Sequence, residues 1–396
     1  MSRGEFVALM AMMFATIAFS IDAMLPALHQ IALELTPEVP ARAPLILSAF
    51  VLGMGIGTFF SGPLSDAIGR RRTMFLGAGL YISAASVAWV SNSFEVILAA
   101  RLVQGIGASG PRIVCIAIIR DLFSGREMAR ILSIVMMIFT LVPAIAPAMG
   151  AVIVDLAGWR AIFGAFVSFS LISVIWLFLR LPETLSVENR RPLRLHLMHS
   201  AVREMWAHPV VRLSILVQTL AMTMLFMVLM MVQQIYDQIY DRLESFPYWF
   251  GAIALFAASA SVLNALIVVR IGMRRLVTAA LLMQVAFSGT LLLSREMPGE
   301  TTFAVFVIWQ AYMFFQAGLT IGNLNSIAME PMGHIAGMAA SVIGAIATVM
   351  AAAIASPIAL LFDGTVQPLF TAAFVLATIG SGMMLYMGRL EARQPA

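Results

Sequence analysis

Three charged residues, Asp22, Arg101 and Arg112, stand inside long apolar runs. A charge is costly there unless it faces water or a partner, or serves a proton path. Arg101, Gln104, Ala108 and Arg112 follow one another at spacings of three, four and four, so they share one helix face. Two arginines on one face imply a polar cavity along it. Arg112 lies about 12 Å before Arg120 along a helix, so its alternative is a side chain that snorkels to the surface. Asp22 is the one carboxylate deep in the first half. It lies about 24 Å along an outward-running first span, and Arg101 about 9 Å below the outer edge of an inward-running fourth span. In a hydrocarbon core about 30 Å thick the two fall at similar depth, and a pair is cheaper than two unpaired charges. The chemistry this permits is proton binding, with Asp22 as the titrating carboxylate and Arg101 setting its proton affinity. The alternative is a static brace between spans 1 and 4. Pro26 removes the hydrogen bond to the Asp22 carbonyl and predicts a bend beside the carboxylate.

Only membrane helices can carry such residues. Of 396 residues, 61% are hydrophobic and 11% charged, against about 25% charged in a soluble domain. Twelve apolar runs are long enough to span, at about 6–28, 44–64, 73–91, 96–119, 130–154, 160–180, 210–234, 247–269, 276–294, 302–328, 336–361 and 366–388. All 24 basic residues are arginine. With both termini in the cytoplasm, 18 of them fall in inner segments and 4 (Arg42, Arg160, Arg242 and Arg295) in outer loops, as the positive-inside rule requires. The net charge of +4 sits in loops beside spans and does not point to nucleic acid. The single cysteine, Cys115, excludes an intrachain disulfide. The first apolar run, with Asp22 and Pro26 inside it, does not read as a cleavable signal.

The chain divides into a bundle over 1–180, a linker over 181–209 and a bundle over 210–396. In the linker, Leu193, Leu197, Ala201 and Met205 fall on one face and Arg194, His199 and Arg203 on others, which reads as an amphipathic helix on the inner surface; the alternative is a solvated linker with some helix. His196, His199 and His208 have no Cys or carboxylate cluster beside them, and no metal is expected. Gly272, Arg274 and Arg275 follow Gly69, Arg71 and Arg72 at one offset, which suggests an internal repeat; Val269 stands where Asp66 would be.

The second half offers neutral polar groups at bilayer depth: Gln218, Thr219 and Thr223 in span 7, Asn264 in span 8, and Gln310, Gln316, Asn323 and Asn325 in span 10. Gln104, Gln218, Thr223, Gln310, Gln316 and Asn323 are the candidates for a substrate cavity. Trp309 and Phe315 are placed to stack on an aromatic substrate or to face lipid. Pro143, Pro147 and Gly150 bend span 5 and thin its packing face. No phosphate-binding loop with its lysine exists in this lysine-free chain, which excludes self-contained ATP drive. No nucleophile, base or metal set appears, so an enzyme is not expected.

These motifs together resemble the major facilitator superfamily, within it the 12-span drug:proton antiporters, and most of all the Bcr/CflA-type multidrug exporters. Gly62-x-Leu64-x-Asp66-x-x-Gly69-Arg70-Arg71 is similar to the superfamily's loop 2–3 motif. Arg101-x-x-Gln104-Gly105-x-Gly107 is similar to its span 4 motif, associated with proton coupling. Ala146-Pro147-x-x-Gly150-Ala151 resembles the span 5 antiporter motif, with alanines for its first and last glycines. Asp22-x-x-Leu25-Pro26, Arg120-Asp121, Pro182-Glu183-Thr184 and Phe362-Asp363-Gly364-Thr365 are more local likenesses. The resemblance implies an all-α polytopic protein of twelve transmembrane helices, two six-helix bundles rocking around a central cavity. It also implies that Asp66 meets the N-terminus of span 11 in the outward-open state. The expected activity is export of small amphipathic compounds in exchange for protons; the alternative is proton-coupled transport of one metabolite. Expected partners are substrate, protons and lipid, with no cofactor and no nucleic acid, for a monomer in the inner membrane.

Overall fold

In the computed structural model, residues 1–190, 192, 195–293 and 299–392 are described. The elements are α1 (Arg3–Asp22), α2 (Leu28–Leu35), α3 (Leu45–Ile68), α4 (Arg70–Val90), α5 (Phe94–Leu122), α6 (Gly125–Ala157) and α7 (Ala161–Arg180). Then follow α8 (Leu195–Ala207), α9 (Pro209–Gln234), α10 (Phe246–Ile271), α11 (Met273–Leu293), α12 (Gly299–Met329), α13 (Ala336–Ala359) and α14 (Gln367–Glu391). Among the described residues twelve helical segments are long and apolar enough to cross a membrane, one for each predicted span. No strand occurs among the described residues. Large apolar side chains such as Leu156, Val269 and Leu266 are exposed, the inverse of a soluble surface and the pattern a lipid-facing helix needs.

Span 1 departs from its expected limits. It breaks rather than bends: α1 ends at Asp22, a 3-10 turn covers Leu25–Ala27, and α2 runs on to Leu35, well past residue 28. Pro26 supplies no N–H, so the ladder cannot cross it. By contrast α6 runs unbroken through Pro143 and Pro147.

The chain forms two compact units, Met1–His196 and Leu197–Ala396. In the first, α3 packs on α5, α4 on α5 and α7, and α1 on α5, α6 and α7. In the second, α10 packs on α12, α11 on α12 and α14, and α9 on α12, α13 and α14. Span for span the two sets are the same, which is the repeat that the arginine loops foreshadow. The device at those loops is also shared. Gly69 separates α3 from α4 at φ +103°, and Gly272 separates α10 from α11 at φ +87°, a conformation that favours glycine.

Within the linker, α8 buries Met198, Ala201 and Met205 and leaves His199 and Arg203 exposed. The side chains of Leu193, Arg194, His196 and Leu197 lie outside the described residues, as do Arg191, Arg295 and Arg393. Among the described residues no group of His, Cys, Asp and Glu is arranged to hold a metal.

Candidate functional site

Arg101 is fully buried on α5. It does not pair with Asp22, and that expectation is corrected. Its Nη2 donates to the Ser20 carbonyl at 2.9 Å, its Nη1 to Gln104 Oε1 at 2.9 Å and its Nε to the Ile46 carbonyl at 3.3 Å. The guanidinium lies 4.3 Å from the Phe50 ring centroid and 5.8 Å from that of Phe166. The reason is helical geometry. Residues two apart on a helix point roughly 200° from one another, so a face of α1 that offers Ser20 turns Asp22 away. Ser20 also lies in the last turn of α1, where carbonyls lack partners and a cation is favoured. Arg101 thus caps the broken end of span 1. Ser20 Oγ and Tyr81 Oη share a hydrogen bond of 2.5 Å, which ties α4 to the same turn.

Arg101→Lys tests this cage. A point-charge ammonium cannot span three diverging acceptors and two rings as a planar guanidinium does. One or two buried acceptors are orphaned, at about 1–3 kcal/mol each. The melting temperature of the purified protein is expected to fall by several degrees in a thermal-shift measurement; an unchanged value contradicts the cap.

Asp22 closes α1 at 5% exposure, and among the described residues no hydrogen bond or ion pair reaches its carboxylate. Beside it, span 5 makes a close backbone approach. A Cβ on Gly150 would stand 2.1 Å from the Ala23 carbonyl oxygen. The glycine therefore seats α6 against the break in span 1, one residue from the carboxylate. Arg112, two turns or so beyond Gln104, is exposed, with no partner among the described residues.

The loop 2–3 residues form a charged knot at the end of α3. Arg70, 5% exposed at its side chain, donates through Nη1 to Asp66 Oδ1 at 2.5 Å and to Ser65 Oγ at 2.7 Å, and through Nε to Asp121 Oδ2 at 2.9 Å. Glu183 accepts from the backbone N–H groups of Arg70 at 2.9 Å and Arg71 at 3.1 Å. A carboxylate on the first N–H groups of α4 is well placed against the helix dipole. Thr184 Oγ1 donates to Asp121 at 3.2 Å, and Arg71 Nη2 to the Phe178 carbonyl at 2.7 Å. Gly62 sits inside α3, where its carbonyl accepts from Ser65 Oγ at 2.9 Å. Asp121 and Glu183, which the sequence offers only as parts of two local likenesses, thus belong to one cluster with Asp66 and Arg70. Near the start of α14, Thr365 N–H at 3.0 Å and Oγ1 at 2.7 Å both donate to Asp363 Oδ1. These donors hold its carboxyl below the usual range.

In the second unit Tyr236 Oη donates to Gln310 Oε1 at 3.0 Å. That bond fixes how α12 runs beside α9. Gln316 lies roughly 9 Å further along α12 from Gln310, and Gln218 roughly 27 Å down α9 from Tyr236. Among the described residues, Gln310 Nε2, Gln218 Oε1, both amide atoms of Gln316 and of Gln233, and Gln104 Nε2 in the first unit are buried without a partner. Such groups are rare in a settled core and suit a polar ligand or water. Gln233 was not picked from the sequence, although a glutamine in a methionine-rich apolar run is itself a signal. Thr223 is spent on the Thr219 carbonyl at 2.8 Å.

Asn323 and Trp309 are fastened to neighbouring helices. Asn323 Nδ2 donates to Asn264 Oδ1 and to the Leu319 carbonyl, each at 2.7 Å, and so bolts α12 to α10. Trp309, fully buried, donates to Ser288 Oγ at 3.0 Å and packs 4.8 Å from the Phe370 ring. Phe315 stacks on Phe256 at 5.4 Å. Both aromatic residues have partners of their own.

The family model described as the Major Facilitator Superfamily matches residues 6–357. The chain is 28% identical to a bicyclomycin resistance protein homolog of Haemophilus influenzae, over 89% of this chain and 88% of that protein. It is 34% identical to the multidrug resistance protein MdtL of Shewanella oneidensis over 41% of each. Its fold matches the crystal structure of a D-xylose-proton symporter with a TM-score of 0.73 at 14% identity, covering 96% of this chain and 97% of the other.

Proposed function

The chain belongs to the major facilitator superfamily, and from that premise we propose that it exports small amphipathic, drug-like compounds across the inner membrane in exchange for protons. The relatives named for resistance to bicyclomycin and to multiple drugs support the substrate class. The observation that carries the coupling is Asp22: a buried carboxylate without a counter-charge among the described residues, at a break in span 1 and seated against span 5. Arg101, satisfied by neutral groups, is free of the role of fixed ion-pair partner. Asp22 takes a proton when the site opens outward and yields it inward. Within the second unit the amides of Gln310 and Gln316 receive the polar end of the compound and Gln218 a later position along its route; within the first unit Gln104 is a substrate-contacting amide in its own right. Arg112 holds the inward end of the polar face of α5. Both termini face the cytoplasm, the 181–209 linker joins the 1–180 and 210–396 bundles, and the protein acts as a monomer.

The test is a resistance and accumulation screen in a host stripped of its own exporters, with and without an uncoupler. Several unrelated compounds should be kept out of cells, and exclusion should vanish when the proton gradient is dissipated. Exclusion that persists without the gradient contradicts proton coupling; a single protected compound contradicts a broad substrate range.

Asp66 is the proposed inner latch. Its carboxylate is half-exposed on the Arg70 side of the charged knot, and the family resemblance directs it to the N-terminus of span 11. Asp66→Asn keeps the size and removes the charge. The protein is expected to insert normally, with slower transport and greater reactivity of cysteines introduced at the cytoplasmic end of the route. Unchanged labelling contradicts the latch.

A further inference from the structure

Where the linker meets span 7, α8 and the first turn of α9 border an open, largely apolar groove of about 450 Å³ lined by His199, Val202, Arg203, Trp206, Ala207 and Arg212. We propose that this groove seats the glycerol backbone and first acyl methylenes of an anionic membrane phospholipid, with Arg203 and Arg212 at its rim as counter-charges to the headgroup phosphate. Position is the first argument. The membrane-length segment Pro209–Ile239 begins two residues after Ala207, so Trp206 and Arg212 flank the point where the chain enters the bilayer. The opposite face of α8, through Met198, Ala201 and Met205, is buried in protein. Trp206 stays 41% exposed, as suits an indole resting where headgroups meet acyl chains.

Charge is the second argument. The lining carries two arginines and a histidine and no carboxylate. Glu204, next to Arg203 in the chain, is engaged elsewhere, with its Oε1 2.7 Å from His334 Nε2. Among the described residues Arg203 has no ion pair, and Arg212 spends one N–H on the Trp206 carbonyl at 3.4 Å. Guanidinium forks left free in this way match phosphate oxygens. A larger cavity at the loop between α10 and α11, about 560 Å³, places Glu330 and Glu391 beside Arg274 and Arg275. Arg274 is already paired with Glu391 there, so that cavity lacks the same appetite for an anion. The floor between Arg203 and Arg212 is aliphatic and aromatic, which fits a glycerol backbone and the first methylenes better than a hydrated free ion. Nothing in this reading depends on what the protein transports.

Native mass spectrometry of the purified full chain tests it, with dioleoylphosphatidylglycerol, dioleoylphosphatidylethanolamine and inorganic phosphate as the probes. The wild type should retain phosphatidylglycerol in preference to phosphatidylethanolamine, and millimolar phosphate should not displace it. The double variant R203Q/R212Q should retain on the order of tenfold less phosphatidylglycerol, since each arginine near a membrane surface contributes substantially to anionic-lipid binding. R203K/R212K should recover most of that loss, and Arg270→Gln, at an exposed arginine remote in sequence, should cause none. No preference for phosphatidylglycerol in the wild type, equal retention by the double glutamine variant, or displacement by inorganic phosphate would each overturn the proposal.

Discussion

Asp22→Asn is expected to abolish accumulation of substrate against a gradient while leaving a folded protein that still binds or equilibrates it. The substitution keeps the shape of the side chain and removes its ability to exchange a proton. No ion pair is broken, because no cation sits on Asp22 among the described residues and Arg101 is satisfied by the carbonyls of Ser20 and Ile46 and by Gln104. A static brace would behave otherwise. Its loss would leave Arg101 uncompensated, at a cost of about 3–5 kcal/mol, and neutralising Arg101 as well would rescue folding. The measurement is uptake of a fluorescent amphipathic substrate into inverted vesicles with an imposed pH gradient, beside the melting temperature of the same protein. Loss of gradient-driven uptake with little change in melting temperature is the expected result. Unimpaired uptake contradicts the assignment of Asp22, and a collapsed melting temperature favours the brace.

Gly150→Val is expected to damage the first unit severely. Its Cβ would lie 2.1 Å from the oxygen, 2.9 Å from the carbon and 3.0 Å from the Cα of Ala23. All three are backbone atoms, so no rotamer relieves the clash and α6 must move off the break in span 1. Overpacking of a fitted interior costs about 1–3 kcal/mol, and here the displaced element is the one that borders Asp22. Gly150→Ala should show the same effect in smaller degree. Size-exclusion profile and melting temperature in detergent provide the check. A variant as stable as wild type would mean that the two helices do not need this approach.

The contrast between Gly150 and Arg101 explains what the sequence makes legible. Spans and sidedness are visible because hydropathy and arginine placement are properties of composition, and every predicted span has its helix. The span 5 motif predicts a thinned packing face, and Gly150 supplies it, but which helix it meets is a matter of tertiary contact. Arg101 was expected to seek a carboxylate because sequence displays side-chain charges and hides free carbonyls. The carbonyl of Ser20 becomes an acceptor only once α1 ends at Asp22. A helical wheel of span 1 would have exposed the misfit, since Ser20 and Asp22 point apart. Glu183 offers no such clue: it caps α4 from more than a hundred residues away. The same limit applies to Asn323, whose partner Asn264 is in plain view as a polar residue of span 8 but whose pairing is not.

In the proposed exchange, Asp22 carries the proton that a substrate displaces. The most direct measurement is proton release into a weakly buffered solution when a substrate found by the screen is added to purified protein near neutral pH. Wild type is expected to release protons in proportion to bound substrate, and Asp22→Asn to bind substrate and release none. Equal release from the two proteins would contradict the account and place the proton elsewhere.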